Sequence, residues 1–90
     1  MGTALLKIKI MPKSLDSNLE KIENKAKEIV SEMHGQSLST QREPIAFGLN
    51  AIIVDFALDE SLSIDDIQNK LKEIPEVNSA EVIDFRRAFG

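Results

Sequence analysis

Along this chain the spacing of apolar residues switches between a period of two and a period near 3.6, and each switch marks a change of element. Leu6, Ile8 and Ile10 alternate with Lys7 and Lys9, which predicts a strand with one buried face. Pro12 ends it, because proline has no N–H to give to a ladder. Leu15, Leu19, Ile22, Ala26, Ile29 or Val30, and Met33 then recur in steps of three and four. Those steps draw one apolar stripe along a helix. Ser17 with Glu20 fits a capping box, and Ser14 and Asp16 are further N-cap candidates. Gly35, directly after His34, fits a left-handed C-cap.

The second half repeats the alternation. Gln36 to Ile45 is polar and weakly patterned, which fits an edge strand with a wet face. From Ala51 to Leu58 the pattern is clear, with Ile52, Val54, Phe56 and Leu58 on one face. Ser63 opens a second helix, Asp65 and Asp66 suit its N-terminal dipole, and Ile64, Ile67, Leu71 and Ile74 form its stripe. Pro75 stops it, and Val77 to Phe85 makes a last strand. Ile22, Asn24, Lys25, Lys27, Glu28 and Ile29 of the first helix reappear as Ile67, Asn69, Lys70, Lys72, Glu73 and Ile74 of the second. Either the halves are related, or two amphipathic helices of similar composition look alike. The predicted order is βαββαβ. That is the α+β, ferredoxin-like arrangement: a four-stranded antiparallel sheet, two helices on one face, and the other face left for water or a partner.

Size and composition narrow the chemistry. Ninety residues leave room for one core, so a single domain over 1–90 is expected. Eleven basic against 15 acidic residues give a net charge of −4, a poor basis for general nucleic-acid binding. No cysteine is present, which removes disulfides, thiol catalysis and cysteine metal sites together. One histidine, His34, rules out a multi-histidine zinc site, and no metal or other cofactor is expected. The short apolar run near Met1 to Met11, broken by Lys7 and Lys9, reads as neither signal peptide nor membrane span, and a cytoplasmic location is expected. No triad spacing and no phosphate-binding glycine loop stand out, so no catalytic residue is assigned. Asp65 and Asp66 diverge by about 100° on a helix and read as dipole charges rather than a catalytic pair. Single-stranded RNA readers of this topology stack bases on aromatics of the central strands. Here there is no Trp or Tyr, and Phe56 falls on the inward face.

Two segments resist a purely structural account. Glu43-Pro44-Ile45-Ala46-Phe47-Gly48-Leu49 joins two strands with apolar residues where polar turn residues are usual. Phe47 either caps the end of the core or is an apolar anchor for a protein partner, and Gly48 permits positive φ. The tail Asp84-Phe85-Arg86-Arg87-Ala88-Phe89-Gly90 carries two arginines, which are either solvated charge or a carboxylate- or phosphate-binding pair.

Pro44-Ile45-Ala46-Phe47-Gly48-Leu49, Ser63-Ile64-Asp65-Asp66-Ile67-Gln68 and the arginine-bearing end after Val82 together resemble the archaeal elongation factor 1-beta family. That family is the counterpart of the exchange domain of the eukaryotic factor. The resemblance implies a ferredoxin-like guanine-nucleotide exchange factor, not an enzyme of covalent chemistry, acting on the GTPase elongation factor 1-alpha. No direct contact with nucleic acid or membrane is expected, from the acidic balance, the missing stacking aromatics and the broken apolar run. Phe47 matches a phenylalanine that contacts the GTPase in eukaryotic relatives, and Pro44, Ile45 and Gly48 of the same segment are expected to share that contact. Counting on from Val77, Arg87 falls near the position where eukaryotic relatives carry a lysine that reaches the Mg²⁺ and phosphate region, and Arg86 or Arg87 is the candidate cation. Two alternatives of the same topology compete. A small-metabolite-binding regulatory domain wants a glycine in the first strand–helix loop, and an acylphosphatase-type enzyme wants an arginine there. The loop reads Pro12-Lys13-Ser14-Leu15.

Overall fold

The computed structural model describes residues 2–88. Its elements run β1 (Thr3–Pro12), α1 (Leu19–Glu32), β2 (Gln36–Pro44), β3 (Asn50–Asp59), α2 (Ile64–Lys72) and β4 (Val77–Ala88). The strands form one sheet in the order β2-β3-β1-β4, with every neighbouring pair antiparallel. This is the βαββαβ ferredoxin-like arrangement that the alternating periods predict.

One core lies between the helices and one face of the sheet. Leu6, Ile8 and Ile10 of β1 sit beside Phe56, Val54 and Ile52 of β3 in register, and all six are buried. Ile22, Ala26 and Val30 of α1 and Ile67 and Leu71 of α2 close over them. Burial of such side chains stabilises by about 1.5–3 kcal/mol each before chain entropy is counted. Leu19 is only partly buried against this core. The opposite sheet face carries neither helix and is mixed: Lys7 and Lys9 of β1 lie beside Asp55 and Ile53 of β3, and Ile53 is itself buried. With Phe56 buried in the core, β1 and β3 offer no aromatic to that face, so the base-stacking platform of RNA readers is missing.

The ends of α1 differ from the capping read in the sequence. Asn18, not Ser17, is the N-cap, and its side chain accepts a hydrogen bond from the Lys21 N–H at 3.1 Å. Ser17 is instead buried, and its hydroxyl donates to Glu76 at 3.0 Å. The helix therefore starts one turn later than the stripe from Leu15 implies. At the other end His34, not Gly35, takes the left-handed conformation, with φ of 69°. The Gly35 N–H bonds the Val30 carbonyl at 2.8 Å and the His34 N–H bonds that of Ser31 at 3.1 Å, which is a Schellman motif. Glycine is needed at 35 for space rather than for φ. A Cβ there falls 2.3 Å from Val30 Cγ1 and 3.3 Å from Phe56 Cδ2. We expect Gly35→Ala to destabilise by about 1–3 kcal/mol through overpacking. A thermal unfolding midpoint equal to that of the wild type contradicts this close packing.

Ser63 caps α2 as its sequence predicts, accepting from the Asp66 N–H at 3.3 Å. β4 runs further than the hydrophobic pattern indicates and takes in both arginines. Its register slips by one residue opposite the Lys7/Ile8 step: Val82 pairs with Ile8, Asp84 pairs with Lys7, and Ile83 is the extra residue. Such a bulge reverses which side chains face the helices beyond it. Phe85 and Arg87 come to lie beside Leu6 and Ala4, and Arg86 lies beside the outward-facing Leu5.

Candidate functional site

The connection between β2 and β3 is a tight hairpin closed at Pro44↔Asn50. Within it the Leu49 N–H donates to the Ala46 carbonyl at 3.0 Å, and the Ile45 N–H donates to the Leu49 carbonyl at 2.8 Å. The two central residues, Phe47 and Gly48, have φ of 56° and 80°. Positive φ at both centres is the type I′ requirement, which Asn-Gly or Asp-Gly ordinarily meets. A phenylalanine in the left-handed region costs roughly 1–2 kcal/mol. No burial offsets that cost, because Phe47 is 94% exposed. Of the two accounts of Phe47 that the sequence leaves open, capping of the core is therefore excluded. Ile45 is also exposed in the same turn.

The arginines lie in β4 rather than beyond it. Adjacent strand residues point to opposite faces. Arg86 Nε meets Asp84 Oδ2 at 3.1 Å, and Arg87 Nε meets Glu60 Oε1 at 2.8 Å. Both guanidinium groups remain about three-quarters exposed, so these pairs are weak tethers that a partner can replace. Next to Glu60, Asp59 Oδ1 accepts from the N–H and the hydroxyl of Ser61, both at 2.8 Å. Those hydrogen bonds hold the Asp59 carboxyl below the usual carboxylate range. Beside Arg86 a shallow depression of about 270 Å³ is lined by Leu5, Lys7, Asp55, Ala57 and Asp84 among others. Its cations and carboxylates oppose one another, which does not favour an anionic metabolite. Phe89 and Gly90 of the tail lie outside the described residues.

The hairpin and the arginines are not one site. Asn50, next to the hairpin, begins β3, while Asp59 at its far end pairs with Thr3, which in turn pairs with Ala88. Ten residues of strand span about 30 Å. Phe47 and Arg86/Arg87 therefore stand at opposite ends of the sheet. Among the described residues no cluster of three or more His, Asp or Glu is placed to hold a metal ion.

Comparison with known proteins gives this two-ended arrangement its context. Residues 5–88 match the family described as the EF-1 guanine nucleotide exchange domain. The chain belongs to that family. It is 40% identical over 89 residues to elongation factor 1-beta of Methanocaldococcus jannaschii, an alignment covering 98% of this chain and all of that protein. Elongation factor 1-beta of Pyrococcus abyssi is 42% identical over 77 residues, covering 83% of this chain and 84% of the relative. That of Methanosarcina barkeri is 34% identical, covering 97% and 99%. For a chain of the EF-1 exchange domain family the function is guanine-nucleotide exchange in translation elongation. The matched span includes both the Phe47 hairpin and the two arginines. No helix among the described residues is long and apolar enough to cross a membrane.

Leu15 is a surface residue that reading the sequence assigns elsewhere. The helical stripe claims it for the core, yet it is 64% exposed in the loop between β1 and α1. Its spacing fits the stripe by coincidence. The only signal against a core role is that Leu15 precedes every one of the N-cap candidates but Ser14.

Proposed function

We propose that this exchange domain, spanning 1–90, acts in the cytoplasm on the GTPase elongation factor 1-alpha, and that it stabilises the nucleotide-free form of that partner. The observation that carries this reading is Phe47: a large apolar ring, almost wholly exposed, held in a costly backbone conformation that gives the fold nothing in return. Exchange needs no covalent step. A partner that binds the empty GTPase more tightly than the GDP-bound form must weaken GDP by the same factor, because binding linkage is reciprocal. GTP, once bound, releases the partner by the same linkage.

The separation of about 30 Å between Phe47 and the arginines means that one small patch on the GTPase cannot meet both. We assign the hairpin, with Pro44, Ile45, Phe47 and Gly48, to an apolar contact. Arg86 and Arg87 go to a second, anionic contact: phosphate oxygens, or the carboxylates exposed when Mg²⁺ leaves. Charge-assisted hydrogen bonds there contribute about 1.5–3 kcal/mol each when well desolvated. The test is calorimetric titration of nucleotide-free and GDP-bound elongation factor 1-alpha. Wild type binds the empty form more tightly. Replacing Arg86 and Arg87 together by alanine weakens that binding about tenfold or more, with the fold unchanged because both arginine side chains are largely exposed. Equal affinity of the wild type for the two forms overturns the exchange reading. Wild-type affinity in the double variant removes only the arginines.

A further inference from the structure

We infer that Leu15 forms, together with Phe47, a two-residue apolar wedge that enters a single cleft on the GTPase. This rests on the reading of Phe47 given above and extends the contact to a second loop. The β1–α1 loop and the β2–β3 hairpin emerge at the same end of the sheet, where β1 ends at Pro12 and β3 begins at Asn50. Leu15 Cδ2 lies 3.5 Å from the position a Cβ on Gly48 would take, which sets Leu15 beside the hairpin tip. Leu15 thus lies beside Gly48, the chain neighbour of Phe47, and both side chains are largely exposed.

The loop that carries Leu15 is built to be rigid. The Ser17 N–H bonds the Ser14 carbonyl at 3.2 Å, and the Asp16 N–H bonds the Ser14 hydroxyl at 3.2 Å. The Lys13 N–H bonds the Glu76 carbonyl at 2.8 Å, and the buried Ser17 hydroxyl bonds the Glu76 carboxylate at 3.0 Å. Glu76 is itself in the left-handed region, with φ of 72°, fixed by these contacts and by the start of β4. An exposed leucine on an anchored loop loses little conformational entropy when it docks, which is how preorganised contacts gain affinity. Gly48 has no side chain to fill the space next to Leu15. The occupant is elongation factor 1-alpha itself, presenting an apolar cleft deep enough for a leucine and a phenyl ring side by side.

Titration of nucleotide-free elongation factor 1-alpha with wild type, Leu15→Ser, Leu15→Met, Phe47→Ala and the Leu15→Ser/Phe47→Ala pair tests this. We expect Leu15→Ser to bind about tenfold more weakly and Leu15→Met to bind like wild type. The pair should lose less than the product of the single losses, because both side chains fill one cleft. Since Leu15 is exposed, the unfolding curves of both Leu15 variants should overlay the wild type. Normal affinity in Leu15→Ser beside weakened Phe47→Ala overturns the wedge and leaves the Phe47 contact standing. Strict multiplicativity of the two losses overturns the shared cleft. A wild type that does not bind overturns the functional reading and the wedge with it.

Discussion

Leu71→Ala lowers the free energy of unfolding by about 2–5 kcal/mol. Leu71 is fully buried on α2 and packs in the same core as Ile8, Val54 and Ile67. Truncating it removes the transfer free energy of the lost methyl and methylene groups and leaves a cavity that a close-packed interior only partly closes. A domain of 90 residues has about 5–15 kcal/mol in hand, so the loss is a large fraction of the total. Urea titration reads it as a lower midpoint at constant slope. An unshifted midpoint contradicts the packing of α2 on the sheet.

Phe47→Asn separates stability from function. It sets the preferred Asn-Gly pair at the centre of a turn whose two φ angles are 56° and 80°. Asparagine tolerates the left-handed region, and no buried area is lost, so stability holds or rises by roughly 1 kcal/mol. Binding to elongation factor 1-alpha falls by about 30-fold or more, as expected for an aromatic anchor worth at least about 2 kcal/mol. The two effects should separate because an Asn-Gly turn suits the backbone but carries no apolar ring. A matched fall in stability and binding contradicts the assignment of Phe47 to the partner.

Much of the fold was legible because burial dictates period. Ile8, Ile52 and Val54 alternate because one sheet face is dry, and Ile22, Ile67 and Leu71 recur at helical spacing because each helix covers that face. What escaped was decided by geometry without a hydrophobic signature. The bulge at Ile83 reverses the faces of Arg86 and Arg87, yet one extra residue in a half-polar strand leaves no mark in the pattern. Capping by Asn18 rather than Ser17 follows from the pull of Glu76, which is distant in sequence. Gly35 was recognisable as part of a helix end, but its partners, Val30 and Phe56, are visible only once the chain is folded. Phe47 stands out in the sequence as an apolar residue in a turn, and only its exposure in the fold removes the core-capping account. That Phe47 and the arginines occupy opposite ends follows from strand order and length rather than from any motif.

On the reading proposed above, this chain speeds nucleotide release from elongation factor 1-alpha through the Phe47 hairpin. Stopped-flow release of a fluorescent GDP analogue from that GTPase tests it most directly, with wild type and Phe47→Asn compared at equal concentration and both confirmed folded. We expect rapid release with wild type and, with Phe47→Asn, a rate at least about tenfold lower, since each 1.4 kcal/mol is a factor of ten. Release by wild type no faster than the GTPase achieves alone, or release by folded Phe47→Asn at the wild-type rate, contradicts it.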